Sequence, residues 1–192
     1  MKIGIYGGTF NPPHVGHLIT AESVREALAL DRIIFIPSYI SPHKQEGEEQ
    51  SSHHRFTMTK MAIASNNRFD ISRKEIEKGD TSYTIDTLKH LRKIYDNGSM
   101  YLIIGMDNYI TFHLWKEPKQ ILEQSTVVVM NRPNYPQRIN EIIGTTNVIF
   151  VDVPDIDVSS SNIRQRIKAG KSVKYLVPDE VERYIIDNGL YK

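Results

Sequence analysis

The sequence predicts an α/β fold built on an open, mainly parallel sheet flanked by helices. Three observations predict it. Short apolar runs recur along the chain, among them residues 32–36 (Arg-Ile-Ile-Phe-Ile) and 100–104 (Met-Tyr-Leu-Ile-Ile), and such runs are typical of strands buried on both faces. Segments with helical apolar spacing alternate with them. Glycines follow the first and fourth runs, at Gly7-Gly8 and Gly105, which is where ligands sit in sheets of this kind.

In chain order, residues 2–6 are a β-rich run leading into the glycine loop. Residues 18–30 carry Leu18, Ala21, Val24, Ala27 and Leu28 near helical spacing. The strand at 32–36 is stopped by Pro37, and a polar loop occupies 38–50. Ser51 or Ser52 then caps a helix running to about Ser65. Residues 69–72 read as a short strand and 75–82 as a charged connection. Residues 84–95 place Ile85, Leu88, Leu91 and Tyr95 on one face, the pattern of a surface helix. Strands recur at 100–104, 126–130 and 148–153. Helices are expected at 159–168 and 178–188, the second opened by Pro178 with acids behind it and closed by Gly189. The expected architecture is therefore one Rossmann-like domain spanning 1–192, with 159–192 as its helical C-terminal part.

Composition narrows the function classes. A chain of 192 residues with 40% hydrophobic and 24% charged residues has the balance of a globular protein. A net charge of +1 supplies no basic surface for tracking nucleic acid, so none is expected as a partner. With no cysteine, disulfides, thiolate nucleophiles and zinc–cysteine sites are excluded together. The N-terminus does not read as a signal peptide, and no stretch approaches the roughly 20 apolar residues of a bilayer span. A soluble, cytoplasmic protein with no membrane partner is the expectation.

Residues 7–17, Gly-Gly-Thr-Phe-Asn-Pro-Pro-His-Val-Gly-His, carry the strongest functional signal. Two glycines suggest a tight turn with close backbone approach to a ligand, and Pro12-Pro13 makes the loop rigid. His14 and His17 stand where a helix would begin, and a helix N-terminus suits phosphate. Two other nucleotide motifs fail. Gly4, Gly7 and Gly8 lack the spacing of the dinucleotide fingerprint. Gly170-Lys171-Ser172 looks like a P-loop end, but the glycine required before it is Gln165. Metal ligation by the two histidines lacks a nearby third ligand, and no metal ligand is assigned. At the other end of the chain, Ser159, Ser160 and Ser161 start a helix, and Arg164 lies about one turn further. That group reads either as a phosphate grip or as a simple serine cap beside a surface arginine.

Residues 7–17 resemble the HxGH signature loop of the nucleotidyltransferase superfamily. In the form found here they are most similar to bacterial nicotinate-nucleotide adenylyltransferases. Further blocks resemble that family in its own order: Pro42-His43-Lys44, Ser82 to Thr87, Gly105-Met106-Asp107, Trp115, Asn131-Arg132 and Ser159 to Arg164. The resemblance implies transfer of the adenylyl group of ATP to nicotinate mononucleotide, giving nicotinate adenine dinucleotide and pyrophosphate, a step of NAD biosynthesis. It implies catalytic roles for His17, His14, Lys44 and Arg164. ATP would be bound by Gly7, Gly8, Thr9, Phe10, Gly16, Gly105, Asp107, Ser160 and Ser161. The nicotinate mononucleotide would be bound by Thr84, Tyr83, Trp115 and Arg132, with Trp115 stacked on the ring. Mg²⁺ would arrive with ATP. Two residues differ from the common family pattern: Asn11 in place of an aspartate, and Lys116 where an aromatic residue is frequent. Three other readings stand beside this one. They are an adenylyltransferase using nicotinamide mononucleotide or phosphopantetheine, a non-catalytic nucleotide-binding module, and a structural protein. A homo-oligomer is left open.

Overall fold

Strand β1 (Lys2–Gly8) lies in the interior of a sheet whose six strands all run parallel. On one side it pairs with β2 (Arg32–Pro37), which pairs with β3 (Phe69–Ile71). On the other it pairs with β4 (Ser99–Gly105), followed outward by β5 (Thr126–Met130) and β6 (Val148–Val151). The resulting order, β3-β2-β1-β4-β5-β6, reverses direction at β1, so the crevice above β1 and β4 is the topological switch point. A computed structural model describes residues 1–40, 51–131 and 140–192, and the statements here concern those residues.

Alternation along the strands feeds two cores. Ile3 and Ile5 of β1, Ile34 and Ile36 of β2, and Leu102 and Ile104 of β4 face one side of the sheet. There they meet Ile85, Leu88 and Leu91 of helix α4 (Thr84–Ile94) and Tyr109 of α5 (Met106–Ile110), with Ile121 of α6 (Pro118–Gln124) beside them. Tyr6, Ile33, Phe35, Ile103 and Val128 face the opposite side, against Ala21 and Val24 of α1 (Val15–Ala27). Burying an Ile, Val or Leu side chain stabilises by roughly 1.5–3 kcal/mol, so the doubly buried strands supply much of the driving force. A third cluster joins Met58 and Ala62 of α2 (Ser52–Ile63) to Ile163 of α7 (Ser160–Lys168). Val181 and Ile185 of α8 (Asp179–Asp187) complete it, together with Tyr191. The helical C-terminal part is thereby packed on α2.

All six expected strands and all five expected helices are present. Among the described residues three α-helices lie outside the sequence expectation, α3 (Lys74–Lys78), α5 and α6, as does a short 3-10 turn at Phe112–Leu114. These α-helices span five to seven residues, too short for a helical period to declare itself, although Pro118 at the start of α6 is a helix-start signal. Helix α1 begins at Val15, earlier than the apolar spacing from Leu18 indicates. Strand β6 ends at Val151 because the Val153 N–H turns to the Asn131 side-chain oxygen, at 2.6 Å, instead of continuing the ladder.

Candidate active site

Both glycines of the first loop belong to β1, so they do not make the turn expected of them. Gly8 provides clearance: a Cβ there would lie 2.9 Å from the Phe10 ring. At Gly7 no atom of the described residues beyond its chain neighbours lies within 4 Å of such a position, which leaves space above the strand end. The turn falls instead on Phe10, whose φ of 50° is left-handed, a conformation costing an ordinary residue about 1–2 kcal/mol. Its ring is 2% exposed and packs against Tyr6, Phe35 and His17, with centroids 5.7, 5.6 and 5.0 Å away. Burial of that ring offsets the backbone cost. A cis Asn11–Pro12 bond follows, and the chain then enters α1.

His14 and His17 stack at the N-terminus of α1, with ring centroids 3.6 Å apart and planes inclined by 28°. The His14 N–H donates to His17 Nδ1 at 3.2 Å. Nδ1 is then an acceptor, so neutral His17 carries its proton on Nε2 and offers that nitrogen as a donor. Gly16 makes the stack feasible, since a Cβ there would lie 3.0 Å from His14 Nδ1.

The start of α7 is bonded directly to this loop. Ser160 Oγ donates to the Pro12 carbonyl at 2.8 Å, and Arg164 Nη1 donates to the Asn11 carbonyl at 2.8 Å. Arg164 Nη2 donates to Ser161 Oγ at 3.3 Å, while Ser159 caps the helix by accepting from the Asn162 N–H. The two phosphate-type motifs, separated by most of the chain, therefore form one structure. Ser160 and part of Arg164 are engaged in joining it, a function the sequence reading did not assign to them.

These groups line a cavity of about 660 Å³ over the carboxyl ends of β1 and β4. Gly7, Gly8, Thr9, Phe10, His14, Gly16 and His17 line it from the first loop. Ser160, Ser161 and Arg164 line it from α7, and Gly105 and Asp107 from the β4–α5 junction. Tyr83, Thr84 and Trp115 line it as well. Thr84 is the first residue of α4, and Trp115 packs at 5.1 Å on Phe112 behind it. Of the residues assigned from sequence, only Lys44 and Arg132 are missing from this lining, and both lie outside the described residues.

Several lining or supporting residues were given no site role from the sequence, although Asn131 stands in one of the family-like blocks. Arg55, 2% exposed, donates to the carbonyl of Thr9 at 2.7 Å and to that of Tyr39 at 2.8 Å. It fastens the first loop to the segment leaving β2. Tyr191 Oη donates to Asn11 Oδ1 at 2.6 Å. Asn131 lines the cavity and holds the Val153 carbonyl and the Asp155 carboxylate. Glu75 also lines it, although 8% exposed, and accepts from Thr87 Oγ1 at 2.6 Å. Burial pushes the Glu75 carboxyl above its ordinary range, against the opposing pull of the Thr87 and Ser82 hydroxyls. Apart from Ser160 to Arg164, whose helix start is legible, these contacts are long-range, and only Arg55 could be suspected, as a charge inside an apolar helix face.

The arrangement can place a triphosphate along the first loop and α7, and a flat ring beside Trp115. Among the described residues no group of three His, Asp or Glu side chains could hold a metal ion. None of their helices is long and apolar enough to cross a membrane.

The chain resembles known proteins along its whole length. A family profile described as cytidylyltransferase-like matches residues 5–166. The nicotinate-nucleotide adenylyltransferase of Bacillus subtilis is 40% identical over 191 residues, covering 100% of this chain and 98% of the relative. Among solved structures, the nicotinic acid mononucleotide adenylyltransferase of Plasmodium falciparum complexed with APC superposes with a TM-score of 0.78 at 20% identity, covering 99% of this chain and 96% of that one. The same enzyme complexed with NaAD gives 0.78 at 21% identity, covering 99% and 97%. At that identity the structural likeness concerns the fold.

Proposed function

Since the chain belongs to the nicotinate-nucleotide adenylyltransferases, within the cytidylyltransferase-like family, we propose that its cavity joins ATP to nicotinate mononucleotide. The products are nicotinate adenine dinucleotide and pyrophosphate, a step of NAD biosynthesis. One observation carries the reading for this chain: the stacked His14–His17 pair and the start of α7 meet in a single cavity that Tyr83 and Trp115 also line.

In the proposed mechanism an oxygen of the acceptor's 5′-phosphate attacks the α-phosphorus of ATP in line. A new P–O bond forms, and the bond from the α-phosphorus to the bridging oxygen of pyrophosphate breaks. The attacking oxygen is already anionic, so no protein base or nucleophile is needed, and positioning with charge stabilisation provides the acceleration. His17 Nε2 donates to a non-bridging α-phosphate oxygen as charge builds there. His14 orients phosphate beside it. The first turn of α1 contributes partial positive charge, and Arg164 with Lys44 neutralises the departing pyrophosphate. Gly105 leaves room for the nucleoside, and Asp107 accepts from its ribose hydroxyls. Trp115 stacks on the pyridine ring, and Thr84 donates to its carboxylate. Arg132 serves as an anion contact for the mononucleotide. Mg²⁺ enters as the MgATP substrate, bound through the phosphates.

Pyrophosphate release measured with nicotinate mononucleotide, nicotinamide mononucleotide and phosphopantetheine in parallel tests the reading. The acid should be the preferred acceptor. His17→Ala should lower kcat by about 10²–10³ with an unchanged far-UV spectrum. Equal turnover by that variant would remove His17 from the mechanism, and preference for another acceptor would reassign the substrate.

A further inference from the structure

Lys116 follows Trp115 in the cavity wall, and the charges around it are unequal. Its Nζ lies 4.4 Å from the centre of the Tyr83 ring and 3.9 Å from Asp86 Oδ2. That carboxylate is held more closely by a second ammonium, Lys78 Nζ, at 3.1 Å. Lys78 also approaches the Tyr83 ring, at 5.9 Å. Two cations therefore share Asp86 around a cavity-lining aromatic residue, and Lys116 is the more loosely held of the two. The further carboxyls acting on Lys78 are Asp80 and the buried Glu75. Burial favours the neutral form of Glu75, and its Oε1 is committed to Thr87. The Tyr83 ring face holds the Lys116 ammonium, and both residues line the cavity.

We propose that Lys116 determines acceptor specificity, its ammonium leaving the shared Asp86 to pair with the carboxylate of an acidic pyridine nucleotide. The inference rests on the acceptor reading given above and adds the residue that senses the acceptor's charge. An amide has no charge for Lys116 to meet, so only the acid gains from leaving Asp86. Because Lys116 is exposed, the gain is screened by salt and modest in size.

The test compares wild type, Lys116→Gln and Lys116→Arg with nicotinate mononucleotide and with nicotinamide mononucleotide, at low and high salt. Lys116→Gln should raise KM for the acid about two- to fivefold without changing kcat, and should leave the amide parameters unchanged. The salt dependence of the acid's KM should fall with it, and Lys116→Arg should restore both. Equal changes for the two acceptors, or no change for either, would overturn the proposal. If wild type turned over neither acceptor, the function reading itself would fail. Quenching of Trp115, the single tryptophan, would still report binding in that case, and equal wild-type affinity for acid and amide would overturn the role of Lys116.

Discussion

A carboxyl group buried beside a cavity leaves a pH signature in stability, and Glu75 is placed to do so. Its folded-state pKa lies above the ordinary value of 4.5, first because of burial, with Asp86 adding to the shift and Thr87, Ser82 and Lys78 opposing it. The unfolded chain therefore releases this proton at lower pH than the folded one. The contribution is fully present below the ordinary value and is lost as pH rises through the raised folded value. Glu75→Gln keeps an acceptor for Thr87 and cannot ionise. It should melt close to wild type near about pH 4 and above wild type near about pH 8. A difference in melting temperature that did not change with pH would show that Glu75 ionises in the fold as freely as in the unfolded chain.

At the scale of elements, α1 sets helix propensity against the needs of the site at a single position. Alanine is favoured over glycine by roughly 1 kcal/mol inside a helix, so Gly16→Ala should strengthen α1 if nothing else changed. But its Cβ would press on His14 Nδ1 at 3.0 Å, in a ring that is buried and stacked on His17. The variant should keep or slightly gain stability in urea melts while its kcat falls, through displacement of the His14–His17 pair. Loss of stability with unchanged kcat would show that the stack does not depend on Gly16. The same helix illustrates what a sequence can and cannot reveal. His14, Gly16 and His17 announce themselves by residue type and spacing, as does the serine-rich start of α7. The five-residue helices α3 and α5 do not, because their form is decided by the sheet beneath them rather than by a repeating pattern. Phe10 misleads for a related reason. Left-handed backbone is expected at glycine, but tertiary packing of an aromatic ring holds Phe10 there instead.

Across the whole molecule, the site is legible as ingredients more than as an assembly. The two motifs can be read from sequence, yet the bonds that join them, Ser160 to Pro12 and Arg164 to Asn11, link residues 148 and 153 positions apart. Tyr191 reaches back 180 positions to Asn11, and nothing local marks it for that role. Its hydroxyl is buried with the Asn11 side-chain oxygen, so Tyr191→Phe should cost about 1–3 kcal/mol of stability. It should also loosen the first loop, seen as a weaker response of melting temperature to added MgATP. Unchanged stability together with an unchanged MgATP response would relegate Tyr191 to simple packing.

The loop that carries the histidines takes three of its side-chain partners, Ser160, Arg164 and Tyr191, from segments synthesised long after it. Its carbonyls at Thr9, Asn11 and Pro12 are held by Arg55, Arg164 and Ser160, and its Asn11 amide by Tyr191. Contacts of such long sequence separation are costly to close and form late. On a ribosome, a nascent chain that has already built β1 and β2 would still hold an unfinished loop. During refolding from urea, circular dichroism should therefore recover ahead of catalysis. The order of synthesis thus defers adenylyl transfer until α7 and Tyr191 have docked on the loop.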